Sequence, residues 1–305
     1  MAYKILKIIG YYRIKKNLKH HVFRRKIKKE DTHRKLEVRD AINTLSGIQL
    51  RKNGDESDII VSLTSYGLRV NDTLPYTLYS LLQQTLKPNR IIVWLDNVNW
   101  DNNNLPEILK KLQSLGVEFF FVPDIRSYKK LIPALKMFPD NVIITVDDDC
   151  YYNERTIEWL LSCYSVSDQK TIIGTWGFSP SISGFSYNKY SSWKIETDTN
   201  KTDVSLIGRG GILYPPRVFD EEIQNESVFT KLAPTADDIW FWAMEKRAGL
   251  KTRLTTNNGF ELHPPINRID ILEPNREGSL YFINEINGKN DEQFTLLIDY
   301  YHIKP

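Results

Sequence analysis

Two cysteines, Cys150 and Cys163, are all that the 305 residues contain, and they form no CxxC pair. Neither a disulfide framework nor a cysteine zinc site can be built from them, and such usage fits a reducing compartment. No apolar run approaches the roughly 18 residues that mark a membrane span. Lys4 and Lys7 break the short apolar segment at the N-terminus, which argues against a signal peptide. Acidic residues are missing from Met1 to Lys29, a stretch with eleven lysines and arginines; the rest carries 30 basic and 38 acidic residues, a balance of −8. Aromatics are abundant, with seven Trp, sixteen Tyr and thirteen Phe, which suits stacking on sugars or bases and equally a large core.

Within the basic stretch, Tyr3, Ile5, Leu6, Ile8, Ile9, Tyr11 and Tyr12 alternate with lysines at spacings that a helix sorts into two faces. That pattern reads as a membrane-surface anchor attracted to anionic lipid, beside the simpler reading of a solvated basic tail. The acidic remainder argues against nucleic acid as the partner. Residues 1–56 are therefore a basic, helical N-terminal extension followed by a polar linker with a possible helix, and regular structure is expected over 57–305.

From Asp58 onward, apolar runs alternate with helical patterns. DIIVSLTS (58–65), RIIVWL (90–95), VEFFFV (117–122) and NVIITV (141–146) read as strands; 73–85, 105–116 and 128–138 read as the helices between them. Strands buried on both faces and separated by helices describe an α/β fold with a mostly parallel sheet. Ligands of such sheets bind beyond the carboxyl ends of the strands. There the chain offers Thr64 and Ser65, Asp96, Asp124, and then Asp147, Asp148 and Asp149.

Three adjacent carboxylates need protonation, a cationic partner or a metal to relieve their repulsion. Hard oxygen donors favour Mg²⁺ or Mn²⁺, which takes one or two carboxylates and completes its shell with phosphate and water. Capping of the helix expected over 153–164 is the competing use of the triplet. In the second half, Gly208, Gly210 and Gly211 match no dinucleotide fingerprint and point to close backbone approach to a ligand, or to an ordinary turn. Asp237 and Asp238 open an amphipathic helical pattern that stops at Gly249, where they either cap the helix or do chemistry. A final helix is expected from about Asn290, packing Phe294, Leu297, Ile298 and Tyr301.

IIVSLTSYGLR, SLLQQTLKPNRIIVWLD, VDDD and ADDIW together resemble a GT-A-fold glycosyltransferase of the family 2 kind, and more narrowly bacterial enzymes of capsule or O-antigen synthesis. The similarity runs from about Asp58 to Asp238. It implies a Rossmann-like nucleotide-binding half over 57–152, an acceptor-binding half over 153–305, and a DxD motif in which Asp147 and Asp149 bind the metal. Asp148 would face the ribose or the metal's surroundings. Thr64, Ser65 and Arg69 would contact the nucleotide, Asp96 the base or ribose, and Lys130, with Lys129 as alternate, the phosphates. Gly210 and Gly211 would lie beside donor sugar and acceptor. Asp238 would be the general base of an inverting transfer, with Asp237 as alternate, although Glu usually stands first in that motif. His263 would add a metal ligand.

The expected activity is metal-dependent transfer of a sugar from a nucleotide-diphosphate donor, UDP favoured, to a saccharide or lipid-linked acceptor. The enzyme would sit in the cytoplasm, peripheral on the inner face of the membrane. Two alternatives stand beside it: a nucleotidyltransferase on a sugar phosphate, and a non-catalytic carbohydrate-binding subunit of the same fold. A nucleotidyltransferase usually carries a Gly-rich basic loop after the first strand. LTSYGLR at that position favours sugar transfer.

Overall fold

The computed structural model describes residues 18–47, 50, 58–268, 284 and 287–305. The first seventeen residues of the basic extension, residues 48–49 and 51–56 of the expected linker and residue 57 lie outside the described residues.

The first element is a long helix, α1 (Leu18–Thr44). It runs through the stretch read as a polar linker, and it lies against the body, with Ile27 and Ile42 buried. The four expected strands follow as β1 (Ile59–Thr64), β2 (Arg90–Asp96), β3 (Val117–Val122) and β4 (Val142–Thr145). Between them stand α2 (Arg69–Asp72), α3 (Leu74–Leu82), α4 (Glu107–Ser114), a 3-10 helix (Arg126–Lys130) and α5 (Ile132–Met137). Pro75 and Pro133 fall in the first turns of α3 and α5, where a missing N–H costs nothing.

After α6 (Thr156–Ser165) the strands shorten to β5 (Ile172–Gly174), β6 (Gly177–Ser179), β7 (Ile182–Ser183), β8 (Ser186–Tyr187), β9 (Lys194–Ile195), β10 (Ser205–Leu206) and β11 (Ile212–Tyr214). Then come α7 (Glu226–Leu232), α8 (Asp237–Arg247), β12 (Thr252–Leu254) and α9 (Lys289–Tyr300). The main sheet has seven strands in the order β12-β5-β11-β4-β1-β2-β3. β1 runs parallel to β2 and β4, β2 to β3, and β12 to β5, while β11 is antiparallel to both its neighbours. This is the expected Rossmann-like α/β architecture with a mainly parallel sheet.

Alternation along the strands makes two cores. Ile59, Val61, Leu63, Val142 and Ile144 face α1, α3, α4 and α6, while Ile60, Ile92, Trp94 and Ile143 face α5, α7, α8 and α9. Each such side chain, fully buried, contributes about 1.5–3 kcal/mol. The aromatic abundance resolves largely into the second core. Trp193 packs on Trp242 at 5.3 Å and on Phe294 at 5.1 Å, which fixes α9 against α8.

The amphipathic pattern expected for α8 is replaced by burial all round: Ile239 through Glu245 are buried without interruption. The helix sits between the sheet, the small three-stranded sheet β10-β6-β9 and α9, so it has no solvent face over these turns. Glu245 is the cost of that position, since its Oε2 accepts no hydrogen bond among the described residues. Burial holds its carboxyl well above the usual 4.5, against Lys246 and with Asp238 and Asp203 adding to the rise. The native state therefore keeps a proton that the unfolded chain releases, and stability falls as pH rises above 4.5 toward the raised native value. Glu245→Gln should stabilise the fold by about 1 kcal/mol at pH values above neutrality and leave it unchanged near pH 4, read from urea melts across pH.

Candidate functional site

The strand ends of β1 and β4 are adjacent, so the loop after β1 and the acidic triplet after β4 meet. Arg69, at the start of α2, reaches both inner carboxylates of the triplet, with Nη1 2.5 Å from Asp148 Oδ1 and Nη2 2.6 Å from Asp149 Oδ2. Ser65 donates its hydroxyl to the other oxygen of Asp148. Asp148 is buried, and burial pushes its carboxyl up to about 6 against the pull of Arg69. Burial also works on Asp149, but Arg69 and Arg209 outweigh it and hold that carboxyl below the usual range.

Asp147 turns the other way, toward Lys130. The lysine is 5% exposed, with Nζ 3.0 Å from Asp147 Oδ1, 2.9 Å from Asp237 Oδ2 and 3.6 Å from Asp238 Oδ1. Its position is set through the backbone: Trp94 Nε1 donates to Ser62 Oγ at 2.8 Å, and Ser62 Oγ donates to the Lys130 carbonyl at 2.6 Å. Burial opposes the ammonium charge, yet the three carboxylates hold its pKa well above the ordinary lysine value. Asp238 keeps 26% of its side-chain surface open although protein encloses it deeply; burial and the neighbouring Asp237 push it up to about 7 against Lys130.

The glycine loop closes over this cluster. The Gly208 N–H donates to Asp238 Oδ1 at 3.2 Å, and a Cβ there would stand 2.4 Å from Lys130 Nζ and 3.0 Å from Asp238 Oδ1. At Gly210 a Cβ would meet Thr175 Oγ1 at 2.8 Å, and Gly211 has φ +86°. Gly208 and Gly210 thus let the backbone approach Lys130, Asp238 and Thr175 closely, and Gly211 supplies a positive φ. Gly208→Ala should keep the fold while lowering the turnover proposed below about tenfold or more, because Lys130 and Asp238 must shift by fractions of an ångström. Parallel thermal melts and steady-state rates would check this.

Arg209, between the glycines, escaped the sequence reading. Its Nε donates to Cys150 Sγ at 3.2 Å, its Nη2 donates to the His263 carbonyl at 3.3 Å, and its guanidinium lies 4.0 Å from the Phe260 ring centroid. The signal was present as a lone cation inside a loop of close-approach glycines. Tyr152 joins this loop to the triplet, accepting from the Asp147 N–H at 2.8 Å and donating to the Arg209 carbonyl at 3.0 Å.

His263 is engaged elsewhere. Its Nδ1 accepts from the Asn153 N–H at 3.3 Å, and its Nε2 lies 3.1 Å from Thr175 Oγ1, whose own proton goes to the Gly210 carbonyl. These partners assign the proton to Nε2, and burial, then Arg209, lowers the ring pKa to about 3, so the imidazole is neutral. With both nitrogens committed, His263 ties three loops together and does not join Asp147 and Asp149 in one ligand set. Thr64 donates to the Trp94 carbonyl at 2.7 Å, Asp96 accepts twice from Asn99 and shapes its own loop, and Lys129 pairs with Asp124.

Among the described residues no group of three or more His, Cys, Asp or Glu side chains is placed to hold a metal ion. Asp147 and Asp237 both approach Lys130 Nζ, at 3.0 Å and 2.9 Å, so the ammonium occupies the point on which they converge. Hard carboxylate oxygens suit Mg²⁺ or Mn²⁺ completed by phosphate, in place of the ammonium on which these two converge.

No family model matches the chain, and no curated protein matches it. Among solved structures it is similar to a CMP:2-keto-3-deoxy-manno-octonic acid synthetase complexed with CTP, at 11% identity and TM-score 0.46 over 77% of this chain and 100% of that one. It is also similar to a cytidylyltransferase from Leptospira borgpetersenii serovar Hardjo-bovis (strain JB197), at 12% identity and TM-score 0.40 over 78% and 96%. Both are nucleotidyltransferases, so the expectation of a GT-A glycosyltransferase, with its sugar donor and saccharide acceptor, is corrected. At such identities and TM-scores the likeness assigns no substrate and no residue role. The loop after β1, LTSYGLR, delivers Arg69 to the triplet, where it pairs with Asp148 and Asp149.

Proposed function

We propose that the chain is a nucleotidyltransferase that joins a nucleoside triphosphate to a sugar phosphate and releases diphosphate. The observation that carries this reading is the delivery of Arg69, from the loop after β1, onto Asp148 and Asp149 at the end of β4. With Lys130 and Arg209 beside the same triplet, three cations and the hard carboxylates stand where a sheet of this kind receives a polyphosphate.

In this reaction an oxygen of the sugar phosphate attacks the α-phosphorus, a P–O bond forms, and the α–β P–O bond breaks with its electron pair leaving on diphosphate. A phosphate monoester is largely ionised at neutral pH, so the nucleophile needs no general base. Asp238 then acts by position, holding the Gly208 N–H and Lys130. Asp147 and Asp237 would hold Mg²⁺ or Mn²⁺, which when bound neutralises phosphate charge. Arg69, Arg209 and Lys130 orient the triphosphate and stabilise the departing diphosphate. Residues 57–152 form the nucleotide half in this reading, and 153–305 the half that receives the sugar phosphate.

The test is diphosphate release with each of four nucleoside triphosphates against a panel of sugar phosphates, in Mg²⁺ and in Mn²⁺. Release that requires both substrates supports the reading. Tight triphosphate binding with no diphosphate formed in any combination would leave a binding protein, and absence of triphosphate binding would remove the site assignment itself.

A further inference from the structure

The basic stretch of residues 1–29 runs into α1, whose described part shows how its charge is disposed. The first acidic residues of the chain turn toward the body. Asp31 accepts from the Arg268 N–H at 3.0 Å and from its Nε at 2.6 Å, and Glu30 lies 2.9 Å from Arg268 Nη2. Lys35 pairs with Asp72 at 2.5 Å, and Arg34 sits 3.8 Å over the Tyr151 ring. These contacts, with buried Ile27 and Ile42, fix the helix on the body.

Arg25, Lys26, Lys28 and Lys29 lie exposed on the turns just before them. Of the four, Lys26 approaches Glu30 at 3.9 Å, and that carboxylate is already shared with Arg268. A rigidly mounted cationic turn thus faces solvent, continuous in sequence with five more basic residues before Leu18 and no acid.

We infer that this part of α1 docks on an anionic bilayer surface. Two observations separate a bilayer from a nucleic acid. Seven apolar or aromatic residues, Tyr3 to Tyr12, interleave with the upstream lysines; the headgroup boundary accepts such side chains, whereas a phosphate backbone offers them nothing. The remainder of the chain carries a net −8, which would repel a duplex drawn in along it but leaves the basic stretch free to meet an anionic plane. The inference holds whichever reaction the site performs.

The full chain is sedimented with phosphatidylcholine vesicles and with vesicles that also contain phosphatidylglycerol, and titrated in parallel with duplex DNA. Binding is expected to the anionic vesicles alone and to weaken steeply with salt. With each basic residue worth about fivefold at the surface, the R25Q/K26Q/K28Q/K29Q variant should bind about a hundredfold more weakly or worse. The variant K26R/K28R/K29R, which keeps the charge, should bind as the parent does. Equal binding to both vesicle types, binding indifferent to salt, an unaffected glutamine variant, or preference for DNA would overturn the inference. Should the glutamine variant lose helix by circular dichroism, the salt titration of the unmodified chain decides.

Discussion

Lys130→Ala is expected to cost about 3–5 kcal/mol of folding stability and to abolish turnover. The ammonium is buried and lies within 3.6 Å of three carboxylates from two distant parts of the chain, Asp147 after β4 and the Asp237–Asp238 pair at the start of α8. Without it these groups face one another with no counter-charge, and the loop that presents them is tied down on the same element. Tyr128 donates to the Ala233 carbonyl at 2.6 Å, and Arg126 to the Pro234 carbonyl at 2.9 Å, so residues 126–130 and 233–238 move as one. The physical origin of the loss can be separated by a double-mutant cycle. If repulsion among the carboxylates dominates, Asp237→Asn or Asp238→Asn in the Lys130→Ala background should restore about 1–3 kcal/mol, whereas either change alone in the parent should destabilise. Additive losses would mean that packing, not charge, is what Lys130 supplies.

The first half of the chain was legible because each strand there is an apolar run covered on both faces and closed by a polar rim. NVIITV and VEFFFV could hardly be read otherwise, and β3 lies over the residues expected. The acidic triplet stood out for the same reason: three carboxylates at the end of a buried strand demand cationic partners, and Arg69 and Lys130 supply them. Its division was not. That Asp148 and Asp149 go to Arg69 while Asp147 goes to Lys130 depends on the pleat and on which loops cross the sheet edge, and a one-letter string carries neither.

In the second half, short strands that change sheets defeat periodicity. TIIGTWGF holds two strands with no break in its apolar run, yet β5 belongs to the main sheet and β6 to the small one. The break falls between two glycines for a steric reason. A Cβ at Gly174 would stand 2.7 Å from Leu206, and one at Gly177 would stand 2.6 Å from the Ser205 carbonyl oxygen. β10 passes that close at the corner, and only glycine leaves it room. The α8 pattern misled differently: an uninterrupted Ile-Trp-Phe-Trp-Ala-Met run has no polar face to betray burial on every side. His263 looked like a ligand because its neighbours were invisible, and two backbone-linked partners turn it into a tie between loops.

Arg69→Lys should lower nucleoside triphosphate affinity about a hundredfold and destabilise the fold by about 1–3 kcal/mol, despite keeping the charge. The guanidinium spans two carboxylates with separate nitrogens, and one of those carboxylates, Asp148, is buried with Ser65 as its other partner. An ammonium is a single point on a longer tether. It can satisfy Asp148 or Asp149, and whichever it leaves is an unpaired carboxylate beside Asp147, at the place where a triphosphate must bring more negative charge. The comparison with Arg69→Met is the informative one. If the fork geometry is what matters, lysine and methionine should lose most of the affinity alike, by calorimetry with the triphosphate and Mg²⁺. If net charge is what matters, lysine should bind within a few fold of the parent and methionine should not. The second pattern would reduce the loop after β1 from a fitted phosphate clamp to a source of positive potential, and with it the observation on which nucleotidyl transfer rests.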